Sequence, residues 1–86
     1  MTRIEKIHAA LQTLQPTLLE IEDESHRHAG HAGAATGRGH FKVRITAECF
    51  RGLPLIAQHR RIYEALGELM QTDIHALSIE ARTPRE

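Results

Sequence analysis

His40-Phe41-Lys42-Val43-Arg44-Ile45-Thr46-Ala47 carries an apolar side chain at every second position, and Ile74-His75-Ala76-Leu77-Ser78-Ile79 repeats the pattern further along the chain. Such alternation marks a strand with one face on a core and the other in water. Phe41, Val43, Ile45 and Ala47 share the core side of the first segment, and His75 falls on the same parity as Leu77 and Ile79 in the second. Between them Leu55, Ile62, Leu66 and Leu69 recur at helical spacing as one apolar stripe. A strand, helix and strand joined by a connection this long permit a crossover to a parallel neighbour. Parallel strands begin at the same end of a sheet, so His40 and His75, which open the two segments, are expected along one edge.

Upstream, Thr2 and Glu5 form an S/T-x-x-E capping box, and Ile4, Ile7, Leu11 and Leu14 recur at helical spacing until Pro16 interrupts them. This predicts a helix with one buried face. Thr17 to Glu24 reads as a strand with Leu19 and Ile21 on one side; alternation divides Glu20, Glu22, Asp23 and Glu24 between faces, which favours a solvated strand end over a cation site. Ser25 to Gly39 holds four glycines, no branched aliphatic residue and the histidines His26, His28 and His31. Such a stretch cannot build a core and reads as a surface loop joining an antiparallel pair, of a length that is usually either functional or disordered. It arrives at the edge that His40 opens, so five histidines are expected to converge there.

Downstream of the first strand, Phe50 and Gly52 make a turn and Pro54 sits where a helix starts. A break near Gln58 would divide Leu55 to Met70 into a short turn and a main helix. His59 lies on the apolar stripe and is expected at the helix's buried edge, with Arg60 and Arg61 on its outer side. The predicted order is helix, strand, strand, helix, strand: an α/β (α+β) single domain over residues 1–86, with a three-stranded mixed sheet and helices packed on one face.

Composition narrows the function classes. Eleven basic and eleven acidic residues cancel, so there is no global positive field of the kind that holds nucleic acid through its phosphates. The single cysteine, Cys49, excludes a disulfide framework within the chain and fits a reducing compartment. The first twenty residues contain acids and no continuous apolar run, so neither a secretory signal nor a membrane span is expected, and the chain reads as cytoplasmic. An enzyme is disfavoured: no nucleophile stands beside a base, and Gly37 and Gly39 lack the strand-to-helix context of a phosphate loop.

Phe50-Arg51-Gly52, then Gln58-His59-Arg60-Arg61-Ile62-Tyr63, then Ile74-His75-Ala76-Leu77-Ser78-Ile79, preceded by Glu24-Ser25 and His40-Phe41-Lys42-Val43, closely resembles the BolA family over nearly the whole chain. The resemblance implies a fold similar to the type II KH domain and a monothiol glutaredoxin as partner. It also implies a shared [2Fe-2S] cluster, held on one side by the glutaredoxin cysteine and a glutathione thiolate. On the other side the family contributes a histidine near the start of the last strand, which matches His75, and a loop ligand, which matches His28 by its place after Glu24-Ser25. His26 and His31 are close enough to substitute. Some members are described as transcriptional regulators, so a second reading is DNA binding through Lys42, Arg44, Arg51, Arg60 and Arg61. Against it stand the neutral charge, the lack of a G-x-x-G clamp and only three aromatic residues. By either reading the isolated chain is expected as a monomer or weak homodimer. Cys49 stands nine positions beyond His40, about 30 Å along a strand at roughly 3.3 Å per residue, and is read as structural.

Overall fold

The structure is a computed structural model that describes residues 1–25 and 38–85. Helix α1 (Arg3–Leu11) starts as the capping box requires: the Glu5 N–H donates to Thr2 Oγ1 at 3.1 Å, and the Thr2 N–H donates to Glu5 Oε1 at 2.9 Å. Two of the N–H groups that a helix start leaves unpaired are thereby satisfied. Ile7 and Leu11 are buried, and the helix tightens into a 3-10 turn over Gln12–Leu14 before Gln15 turns the chain in the left-handed region, φ 54°.

Strand β1 (Leu18–Asp23) runs antiparallel to β2 (Gly39–Thr46), in register from Leu18 opposite Thr46 to Asp23 opposite Phe41. A 3-10 turn (Glu48–Phe50) and Gly52, at φ 79°, lead to helix α2 (Leu55–Leu66), a short helix α3 (Leu69–Thr72) and strand β3 (Ile74–Arg82). Strand β3 lies parallel to β2, giving the sheet order β1-β2-β3. This is the mixed α+β arrangement expected from the residue pattern.

The alternation in β2 is realised without exception: Phe41, Val43 and Ile45 are buried, and they join Ile7, Leu11, Phe50, Ile62, Leu66 and Ile74 in one core. Full burial of each such side chain stabilises the fold by about 1.5–3 kcal/mol. Lys42 and Arg44 point the other way, onto the sheet face away from the core. There Arg44 donates to Glu80 Oε2 at 2.7 Å and to Glu20 Oε1 at 2.9 Å, spanning all three strands. The two carboxylates, Glu80 foremost, hold the Arg44 guanidinium above its ordinary pKa.

Two expectations need correction. The helical stretch breaks at Gly67, φ 53°, and not near Gln58, because Gly67 supplies a positive-φ stop whose N–H bonds the Tyr63 carbonyl. Leu55 is 62% exposed, so the buried stripe begins only at Ile62. His59 is half-buried at the flank of that stripe, where it also borders a surface concavity with Leu55, Ile56 and Tyr63.

Candidate functional site: a histidine pair at the sheet edge

The start of β2 is fixed from both sides. The Gly39 N–H donates to the Asp73 carbonyl at 2.9 Å, the His40 N–H donates to Ser25 Oγ at 3.0 Å, and the Glu24 N–H donates to the His40 carbonyl at 2.8 Å. Ser25 in turn donates its N–H to Asp23 Oδ1 at 2.8 Å. Gly39 is required by space: a Cβ there would lie 2.6 Å from the Phe41 ring and 2.7 Å from Ser25 Oγ. The last described residues before the histidine-bearing stretch and the first after it are thus held at one corner.

The pairing of β2 with β3 slips at this corner. Gly39 is opposite Ile74, yet His40 is opposite Ala76, so His75 is an extra residue in β3. An extra residue of this kind bends the strand and re-aims side chains. The parity reading of His75 is therefore corrected. Ile74, not His75, takes the core position in line with Leu77 and Ile79, and His75 is exposed. Its ring packs against that of His40, with centroids 5.2 Å apart and planes inclined at 54°. His40 is half-buried, and a cleft of about 200 Å³ runs beside it, lined by Glu24, Phe41, Ala76, Leu77 and Ser78.

Asp73, immediately before β3, ties this corner to α1. Its carboxylate accepts from the Thr72 hydroxyl and from Lys6 Nζ at 3.2 Å, and lies 3.6 Å from Arg3 Nε. The Thr72 hydrogen bond, followed by Lys6 and Arg3, holds its pKa below the usual aspartate value even though burial acts in the opposite sense.

Of the five histidines expected to converge, His40 and His75 do meet; His26, His28 and His31 lie outside the described residues. Among the described residues no group of three or more His, Cys, Asp or Glu side chains is placed to share a metal ion. Cys49 sits elsewhere, half-buried, with its thiol 3.8 Å from the Leu14 carbonyl.

The five basic residues considered for nucleic acid are spread out. Lys42 and Arg44 lie on the open sheet face; Arg51 is held by Glu48 at 2.6 Å and by the Pro84 carbonyl at 2.9 Å; Arg60 and Arg61 are exposed on α2. Sequence reasoning missed the exposed apolar side of α2, where Leu55, Ile56, His59, Arg60, Tyr63 and Glu64 line a concavity of about 670 Å³. The adjacent apolar pair Leu55-Ile56 was the available signal, since neighbours lie about 100° apart on a helix and cannot both join a stripe through Ile62.

The three-stranded mixed sheet with helices on one face is the fold of a BolA-like domain. The chain belongs to the BolA-like protein family, which matches residues 10–86. It is 46% identical over 78 residues to SufE-like protein 1, chloroplastic/mitochondrial, of Arabidopsis thaliana, covering 85% of this chain and 21% of that protein. It is 40% identical over 82 residues to the DNA-binding transcriptional regulator BolA of Escherichia coli, covering 95% of this chain and 72% of that one. Among solved structures, the BolA domain of SufE1 from Arabidopsis thaliana superposes with a TM-score of 0.84 at 41% identity, over 98% of this chain and 94% of that one. The chain spans about a fifth to about half the length of several curated relatives that it matches. Among the described residues no helix is long and apolar enough to cross a membrane.

Proposed function

We propose that this protein is a non-enzymatic adaptor that pairs with a monothiol glutaredoxin and completes a shared [2Fe-2S] cluster with His75 and a loop histidine, His28 first, for iron sensing or cluster delivery. The observation that carries the proposal is the exposure of His75 on the irregular first turn of β3, beside His40 and beside the corner anchored by Ser25. His28 follows Ser25 by three positions, and three residues of extended chain reach no more than about 11 Å. His26 and His31 are the alternates.

The donor set suits such a centre. Imidazole is a good ligand for iron, and an exposed histidine is accessible to a group brought by a partner. When bound, the cluster supplies a redox-active iron pair whose potential imidazole ligation raises. The chain's own contribution is to hold His75 outward: Ile74 anchors the strand in the core, Asp73 fixes its start, and the His40 ring backs the His75 ring.

The test is a reconstitution in which the protein is mixed with a monothiol glutaredoxin, iron, sulfide and glutathione. A stable heterocomplex with visible absorption and circular dichroism distinct from the glutaredoxin's own cluster supports the adaptor. Spectra indifferent to the added chain would sink it.

A second reading, DNA binding, is favoured by the name of the Escherichia coli relative and by the exposed pair Arg60 and Arg61 on α2. It predicts binding to duplex DNA that weakens steeply with salt, with a slope reduced when both arginines are neutralised.

A further inference from the structure

We infer that strand β3 and the outer flank of α2 together form the contact surface for a second copy of this chain, joined about a two-fold axis into one continuous sheet. The backbone of β3 defines what fits there. The Ala47 N–H donates to the Arg82 carbonyl at 3.0 Å, so Arg82, Glu80 and Ser78 turn their backbone groups to β2, and alternation turns those of Ala81, Ile79 and Leu77 to the sheet's outer edge. Among the described residues, no backbone hydrogen bond outside the β2–β3 ladder reaches these three. A row of unpaired donors and acceptors is a template for another extended strand. The opposite edge, β1, repels its own copy: a two-fold join centred on Ile21 would set Glu20 against Glu22, whereas Ala76 to Ile79 on β3 is uncharged.

Antiparallel pairing of β3 with its copy, centred on Ile79, uses the three outward residues symmetrically. Leu77 lies opposite Ala81 of the second copy and Ile79 opposite Ile79, each pair exchanging both of its N–H···O bonds. On the open sheet face the same register sets Ser78 against Glu80 and Ala76 against Arg82, so no like charges stand opposite. Helix α2 supplies the rest of the surface. Because α1 packs on β1 and α2 on β3, α2 occupies the part of the helical layer nearer the β3 edge. Arg61 on α2 borders Leu14, which follows α1. Tyr63 lies about 200° around the helix from Arg61, with buried Ile62 between them, and so faces away from α1. Ile56 shares that flank; it is 70% exposed and Tyr63 42% exposed. Arg60 and Glu64, of opposite charge, stand beside them. The open strand edge and the exposed apolar flank therefore lie on one side of the molecule, where a single copy of the chain covers both.

A join of one strand and one helix flank belongs to the class below about 1,200 Å² that dissociates on dilution, and the inference stands apart from glutaredoxin binding. Sedimentation equilibrium of the full chain, with EDTA present to remove bridging metal, should show a reversible monomer–dimer equilibrium between about 10 µM and about 1 mM. Over the same range, hydrogen exchange at the Leu77, Ile79 and Ala81 amides should slow as the dimer forms, while that at Leu19 and Ile21 on β1 stays constant. Ile56→Asp, at an exposed position, should weaken dimerisation by about tenfold or more. Ala81→Pro removes a donor that only the join uses and should weaken it by about fivefold or more. Circular dichroism checks each fold; should Ala81→Pro fail to fold, Ile56→Asp and the exchange pattern decide. A chain that stays monomeric at about 1 mM would leave the edge to some other extended strand and overturn the pairing. Association beyond two copies, protection on β1 in place of β3, or a dimer indifferent to Ile56→Asp would overturn it as well.

Discussion

His75 has no register partner on β2 and rests its ring 5.2 Å from that of His40, because Gly39 pairs with Ile74 while His40 pairs with Ala76. One extra residue thus separates two roles that regular alternation would have merged. Ile74 enters the core, and His75 faces outward at the corner where the histidine-bearing stretch begins.

This division predicts opposite responses at adjacent positions. Ile74→Ala removes a fully buried side chain and should cost about 2–5 kcal/mol in urea denaturation. His75→Ala, at an exposed position, should change stability by less than about 0.5 kcal/mol. A large loss of stability for His75→Ala would mean that the ring is structural.

Gly39→Ala should destabilise the fold by about 1–3 kcal/mol, because the new methyl group meets the Phe41 ring and Ser25 Oγ in a packed corner. Chemical denaturation measures the cost. A neutral outcome would show that the corner yields without strain.

Asp73 predicts an acid limb in the stability profile. Its folded pKa is lowered, first by the Thr72 hydroxyl and then by Lys6 and Arg3. An unfolded chain therefore takes up that proton at higher pH than the folded one. The stabilisation is fully present above the ordinary aspartate value of about 3.9 and is lost as pH falls through it toward the folded value. Asp73→Asn should be less stable than the parent at pH 6, with the gap closing below about pH 4. Parallel curves across that range would contradict the assignment.

On α2, Leu55→Ser should be tolerated within about 0.5 kcal/mol, whereas Ile62→Ala should cost about 2–5 kcal/mol. Equal costs in denaturation would restore Leu55 to the core.

Much of this was legible in the sequence. The strict alternation of His40 to Ala47 set the middle strand and its faces, the Thr2–Glu5 box set the first helix, and the connection between Ala47 and Ile74 allowed the parallel neighbour that the sheet contains. What periodicity missed has a common cause: it reports the side of an element on which a residue lies, and not whether anything packs there. Leu55 keeps the phase of Ile62, yet lies beyond the part of α2 that the core covers. His75 keeps the phase of Leu77 only if the strand pairs regularly, and a bulge leaves no mark on alternation. The meeting of His40 with His75 was foreseeable from parallel strand order, whereas the outward turn of His75 was not.

The central proposal, that imidazole from this chain completes a shared cluster, is tested most directly by labelling. Protein with ¹⁵N-histidine is assembled with unlabelled monothiol glutaredoxin, iron, sulfide and glutathione, reduced, and measured by pulsed electron paramagnetic resonance. Coupling of the cluster's electron spin to ¹⁵N, diminished by His75→Ala while the heterocomplex persists, is the predicted result. A reduced cluster with no ¹⁵N coupling, or with coupling indifferent to His75→Ala, would contradict it.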